Sequence, residues 1–278
     1  MKPEERLAKH QQLNRAYSDY VGLVLRRALE RYGLQSGQGD RLEFGWAGMM
    51  FSVMQDGHDW LISNPRGKAL RLIPIAWFGK SVEEVEHLNP SRVVCWPGGS
   101  DSISSGRGLV ISPLDLYVVE KMGRSVDEWM LSQLLEGYGK QLGPLPTAVK
   151  QLADGWSNNF ESLSSTHVRL IRPLDSEQAV QIRLRLHDSA NKQVETEVLN
   201  AVEQLTALSR LCGHDTQFSA SPNREFYCRC RACEATWSLK TLSNKRTFSM
   251  RLRGATNLAS ADGFNWSGRD WLDFEIAV

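Results

Sequence analysis

What this sequence has little of narrows its function first. No apolar run approaches the roughly 18 to 20 residues that a membrane-spanning helix needs, so no membrane span is expected. The opening residues, MKPEERLAKHQQ, are too charged for a secretory signal, which makes the cytoplasm the expected compartment. Neither sign of charge is in excess: 33 Lys and Arg stand against 32 Asp and Glu, so attraction to a polyanion has to come from a local patch. The common catalytic motifs are missing as well, with no P-loop, dinucleotide fingerprint, G-x-S-x-G or H-E-x-x-H. A PD-(D/E)xK nuclease needs an acid on one strand and acid-x-Lys on the next, to hold a divalent ion and orient water. Pro113-Leu-Asp115 with Glu120-Lys121, and Pro173-Leu-Asp175 with Glu177, both lack that spacing. His58-Asp59 and His187-Asp188 are adjacent pairs, which on a strand point to opposite faces. These absences favour a protein that does not catalyse.

Cysteine is scarce too, but four of the five are gathered in one stretch, LCGHDTQFSASPNREFYCRCRACEATWSL, from Leu211 to Leu239. Cys95, alone in the apolar run RVVCW, reads as a small buried hydrophobe. In a reducing compartment clustered thiols point to a metal rather than to disulfides. Cys230-Arg-Ala-Cys233 is a C-x-x-C pair, and Cys212-Gly-His214 lies upstream across a polar, turn-prone segment at Ser219 to Asn223. Two short ligand pairs on facing turns can enclose a tetrahedral ion, and soft thiolates select zinc over hard cations. The preferred ligands are Cys212, His214, Cys230 and Cys233. Cys228 in place of His214 is the alternative, giving four thiolates with an unusually tight C-x-C. Four protein ligands leave no position for water, so the expected zinc is structural. Trp237 is expected to pack the ribbon rather than to stack on a base.

Hydrophobic periodicity gives an α+β fold: an N-terminal helix with an antiparallel sheet, a central helical region and a C-terminal part containing the zinc ribbon. From Arg6 to Leu34 apolar residues recur at helical spacing. RLEFGW, MMFSVM, DWLIS and ALRLIPIAW then read as an antiparallel meander broken by QDGH and NPRGK. Trp46, Trp60 and Trp77 are its expected core aromatics. A short helix, SVEEVEHL, and a strand, RVVCW, close a first domain at 1–98. Residues 99–108 are Gly- and Ser-rich and read as a loop or linker, and 109–278 form a second domain with the ribbon at 211–239. Within it, Ser125 with Glu128 is expected to cap a helix, and Thr147 to Ala153 is a second helical stretch. THVRLIRPL and the alternating VQIRLRL read as strands, the latter with Arg183 and Arg185 on one face. A helix from Val194 to Leu211 delivers the ribbon, and TFSMRLRG and RDWLDFEIAV are terminal strands.

The ribbon is also basic. Arg224, Arg229, Arg231, Lys240, Lys245, Arg246, Arg251 and Arg253 are opposed only by Glu225 and Glu234 between positions 224 and 253. Such cations on a rigid support suit phosphate contacts, which supply affinity without reading sequence. The expected partner is nucleic acid, DNA in the first instance. A solvated face matched to an acidic partner protein is the plainer reading of the same residues.

The order of AYSDYVGLVLRRALERYGL, a meander and ISPLDLYVVEKM before a helix resembles the McrC-like families of bacterial restriction and antiviral systems, some of which add a zinc ribbon to a nuclease core. The resemblance spans about the first half of the chain by pattern and the ribbon by type. The family's acidic and lysine catalytic residues have no counterparts here. The resemblance implies a non-catalytic, nucleic-acid-binding subunit of a multi-protein defence complex, with other subunits as partners. The alternatives are a diverged metal-dependent nuclease near Asp115 and Glu120, or a protein–protein adaptor.

Overall fold

The structure is a computed structural model that describes residues 2–76, 91–98, 108–221, 224–242, 245–251 and 271–276. It is α+β, and the chain divides into two compact units, Met1–Trp129 and Met130–Val278. No helix among the described residues is long and apolar enough to cross a membrane.

The first unit opens with α1 (Pro3–Leu29), which carries Glu4 and Glu5 in its first turn and Arg26 and Arg27 in its last, matching the helix dipole at both ends. Seven strands follow: β1 (Gln35–Ser36), β2 (Leu42–Trp46), β3 (Met49–Asp56), β4 (Asp59–Ser63), β5 (Ala69–Pro74), β6 (Arg92–Trp96) and β7 (Gly108–Val110). They lie side by side in chain order. The pairing is antiparallel through β5, as the meander predicts, and then parallel between β5 and β6 and between β6 and β7. Parallel neighbours need a crossover connection. The expected helix SVEEVEHL occupies that position between β5 and β6, but both it and Trp77 lie outside the described residues.

Val21, Val24, Leu25, Ala28 and Leu29 of α1 are buried, as are Phe44, Phe51, Val53, Ile62, Leu70 and Leu72 of the sheet. Trp60 is buried on β4 and donates its indole N–H to the Ser18 carbonyl at 3.0 Å. Gly22 is what permits this approach, because a Cβ there would stand 2.1 Å from the Trp60 ring. Cys95 is fully buried on β6, and burial pushes its thiol up to about 12, so it behaves as the hydrophobe the sequence suggests.

The Gly/Ser-rich segment expected to separate domains falls largely outside the described residues. The strand after it, β7, pairs with β6 and belongs to the first unit. α2 (Val118–Leu135) follows and starts seven residues before the expected Ser125 cap, so Ser125 lies inside the helix. Val118, Met122, Val126 and Trp129 are buried at helical spacing, and this stripe extends the helix back through Gly123. The chain enters α2 through Asp115, whose carboxylate accepts the Tyr117 N–H at 2.9 Å.

The second unit contains a small antiparallel sheet, β8 (Gln141–Leu142), β9 (Phe160–Ser162) and β10 (Val168–Leu170), with β10 central. It also contains α3 (Thr147–Gly155), α4 (Ser176–Ser189) and α5 (Lys192–Leu208). The segment VQIRLRL is not a strand but the middle of α4. Asp175 caps it by accepting the Gln178 N–H at 2.8 Å, and the Gln178 side chain accepts the Asp175 N–H in return, closing a capping box. Ile182 and Leu186, four apart, are buried, while Val180 and Leu184 are 57% and 59% exposed. The alternation was therefore a helical stripe with two apolar residues left outside it, and Arg183 and Arg185 do not share a strand face.

Last comes a five-stranded antiparallel sheet in chain order: β11 (Thr216–Ala220), β12 (Phe226–Cys230), β13 (Thr236–Leu242), β14 (Lys245–Arg251) and β15 (Trp271–Ile276). Its register aligns Phe218, Cys228, Trp237, Met250 and Leu272 in one cross-strand row. A second row on the same face is Ala220, Phe226, Leu239, Phe248 and Phe274. This inner face is the apolar side of the sheet; Cys228, Trp237, Leu239, Phe248 and Leu272 are all but inaccessible.

Candidate metal centre

α5 delivers the first pair of candidate ligands. Its buried stripe of Val194, Val198, Ala201, Val202, Leu205 and Leu208 ends at Leu211, one residue before Cys212. A helix leaves its last carbonyls without intrahelical donors. Here the Trp237 indole donates to the Leu208 carbonyl at 2.8 Å and the Thr216 hydroxyl to that of Ser209 at 2.6 Å. The helix end is thus tied to β13 and to the first residue of β11. Trp237 is fully engaged in the core and packs the ribbon, as expected, rather than being offered to a ligand.

Between those ties the chain makes its first tight turn. Gly213 sits at φ +80, a left-handed conformation that favours glycine, and Arg210 pairs with Asp215 across the turn at 2.8 Å. The second turn follows Cys230, the last residue of β12. Glu234 takes φ +59, and the Cys230 N–H bonds the Ala235 carbonyl at 2.9 Å, so the chain reverses directly into β13. Thr216 pairs with Cys230 in the β11–β12 ladder, which sets both turns at the same end of the sheet.

The consequence is a cluster. One donor atom each from Cys212, His214, Cys230 and Cys233 lies within 4.8 Å of every other. In a tetrahedral site with metal–sulfur bonds near 2.3 Å, ligand atoms stand roughly 3.8 Å apart, so a small contraction would close these four around one ion. The chemistry of the donors also fits a thiophilic metal. The Cys233 backbone N–H holds the Cys230 thiol below its ordinary value, helped by the Cys233 side chain, the Ala232 N–H and the Cys212 side chain. Burial pushes the Cys212 thiol up to about 12, with Cys230 and Cys233 adding to the rise. Thiols this close influence one another's protonation, and a metal ion would bind them as thiolates.

Cys228 is not in this group. It lies on the same face of β12 as Cys230 but one step further in, on the core row with Trp237, where burial raises its thiol above the ordinary range. The alternative four-thiolate set is therefore not what the structure assembles; the extra cysteine is a core residue.

The outer face of the sheet is polar. Gln217, Arg229, Thr236, Arg251 and Trp271 align in one row, and Ser219, Tyr227, Ser238, Ser249 and Asp273 in the next. Lys240 and Lys245 are exposed, and Lys245 pairs with Glu275 at 2.9 Å. The eight predicted cations thus divide. Arg229, Arg231 and Arg251 gather at the end near the cysteine cluster. Arg224 occupies the β11–β12 turn at φ +60, and Lys240 and Lys245 lie toward the far end. Arg246 is on the inner face, with one guanidinium N–H donated to the Arg224 carbonyl at 3.2 Å. Arg253 lies outside the described residues. Two shallow hollows of about 350 and 250 Å³ open on this sheet, one bordered by Gln217, Arg229 and Arg231, the other by Tyr227, Ser249, Arg251 and Asp273. Sequence inspection missed Tyr227 and Gln217. The signal was present in FYCRC, where Tyr227 and Arg229 alternate with the inward cysteines.

In the first unit Asp115 is paired with Lys121 at 2.5 Å, and Lys121 together with the Tyr117 N–H holds its carboxyl below the usual carboxylate range. Among the described residues no other group of three or more His, Cys, Asp or Glu lies close enough to hold a metal. No family model, curated protein or solved structure matches this chain.

Proposed function

We propose that Cys212, His214, Cys230 and Cys233 hold a structural zinc ion, and that the ribbon so fixed is a non-catalytic nucleic-acid-binding element. When bound, the ion would supply cross-linking of the two turns, with all four positions taken by protein and none left for water. The observation that carries the binding half of the reading is the placement of Arg229, Arg231 and Arg251 beside the cluster, on or next to paired strands. Guanidinium groups held on rigid backbone lose less freedom on meeting phosphate than the same groups on a mobile tail. The position of Asp115 supports the non-catalytic part, since its carboxylate is engaged by Lys121 and by the start of α2. The McrC-like pattern in the first half of the chain motivates the wider proposal of a DNA-directed subunit in a bacterial defence assembly, working with other protein subunits.

Two or three phosphate contacts give a shallow salt dependence, so affinity for a labelled oligonucleotide should fall roughly ten-fold between 50 and 200 mM salt. Reversing the charges in an Arg229→Glu, Arg251→Glu double variant should weaken binding by at least about ten-fold. Binding that ignores salt, or that survives the double variant unchanged, would sink the proposal.

A further inference from the structure

Tyr227 is the unexplained residue on the outer face. It is 46% exposed at the centre of a β-strand, while the aromatic rings of Phe226, Trp237 and Phe248 are all directed into the core. It stands between two strands of small hydroxyl residues, paired with Ser219 on β11 and with Ser238 on β13, and Ser249 lies beyond Ser238 on β14. Nothing larger than serine shares its row until Asp273 on β15. The ring therefore lies over a shallow floor, with a hollow of about 250 Å³ at its side. One row away, toward the cysteine cluster, are Gln217, Arg229, Thr236 and Arg251.

We infer that this face binds single-stranded nucleic acid, with the Tyr227 ring stacking on a base and Arg229 and Arg251 taking phosphates of the same strand. The inference rests on the nucleic-acid reading above and narrows it to a substrate class. A flat ring on an open floor can meet the face of an unpaired base, whereas in a duplex those faces are hidden within the stack. Arg229 and Arg251 are two strands apart, about 10 Å from sheet spacing, which allows each to meet a different phosphate of one extended chain. Toward the far end Lys245 is paired with Glu275, while Asp273 ends Tyr227's own row next to Arg251. That distribution suits one narrow polyanion running past the cluster end and disfavours the two phosphate rails of a duplex. The hydroxyls of Ser219 and Ser249 and the Gln217 amide offer donors and acceptors to any base, which gives contact without strong sequence preference.

The test uses the full chain and two fluorescent probes, a dT oligonucleotide and a duplex of the same length, followed by anisotropy at one salt concentration. The single strand should bind the wild type more tightly than the duplex. Tyr227→Ala should weaken single-strand binding by roughly 5- to 100-fold, and Tyr227→Phe should stay within about two-fold of wild type, since stacking needs only the ring. Tyr227→Ile, which keeps strand propensity without an aromatic face, should show the same loss of single-strand binding and carries the test if the alanine variant folds poorly. Wild-type binding in both ring-less variants, or tighter binding of the duplex, would overturn the inference. If that happened while Arg229→Glu, Arg251→Glu still abolished binding, the broader nucleic-acid reading would stand. If the wild type bound neither probe, both would fall.

Discussion

Cys228 and Cys230 are two residues apart on one face of one strand, yet their surroundings give them different chemistry. Cys230 ends β12 where the chain turns, so backbone N–H groups of Ala232 and Cys233 can reach its sulfur. Cys228 lies one step inward among Trp237 and Met250, where no charge can be tolerated. Cys228→Ala should therefore keep a full equivalent of zinc by elemental analysis while costing about 1 kcal/mol of stability from the lost buried sulfur. Cys230→Ser should lose the metal. Equal metal loss in the two variants would return Cys228 to the ligand set. That Cys212, His214, Cys230 and Cys233 come together was legible in the sequence because two short pairs admit few arrangements. The exclusion of Cys228 was not, since spacing alone cannot tell a turn from the strand that leads into it.

At the scale of single elements, the lesson lies in α4. A run that alternates apolar and basic residues has the period of a strand, but the buried pair Ile182 and Leu186 keeps the period of a helix. The capping box at Asp175 and Gln178 settles which applies, because it satisfies the first orphan N–H groups before the ambiguous run begins. Leu186→Ala should cost about 2–5 kcal/mol in chemical denaturation, as for a core leucine. Leu184→Ala should change stability by less than about 0.5 kcal/mol, as at an exposed site. Similar losses at both positions would mean that both leucines face a core. The error at Ser125 has a related origin: a plausible cap was present in the sequence, but the stripe of Val118 and Met122 upstream outweighed it.

Across the whole molecule, the Cys/His cluster and the sheet it terminates belong to the second unit, and β2 to β5 belong to the first. Metal binding and the folding of its immediate surroundings are one equilibrium. Removing the ion with a chelator should raise amide hydrogen exchange at least about ten-fold in β11, β12 and the start of β13, and leave β2 to β5 within experimental scatter. Unchanged exchange around the two turns in metal-free protein would show that hydrogen bonding and the Trp237 core hold the ribbon without the ion.

Local pattern was enough to determine the α+β class, the long first helix, the antiparallel meander and the cysteine pairs, because each depends on residues close together in the chain. Tertiary structure decided what depends on partners far along it. The parallel pairing of β5, β6 and β7 was set by strands that meet across long connections. The separation of Cys228 from the other thiols, and the alignment of Tyr227, Arg229 and Arg251 on one outer face, came from the register of β11 to β14. A side chain's direction on a strand follows from its neighbour's position, and that register exists only once the sheet has formed.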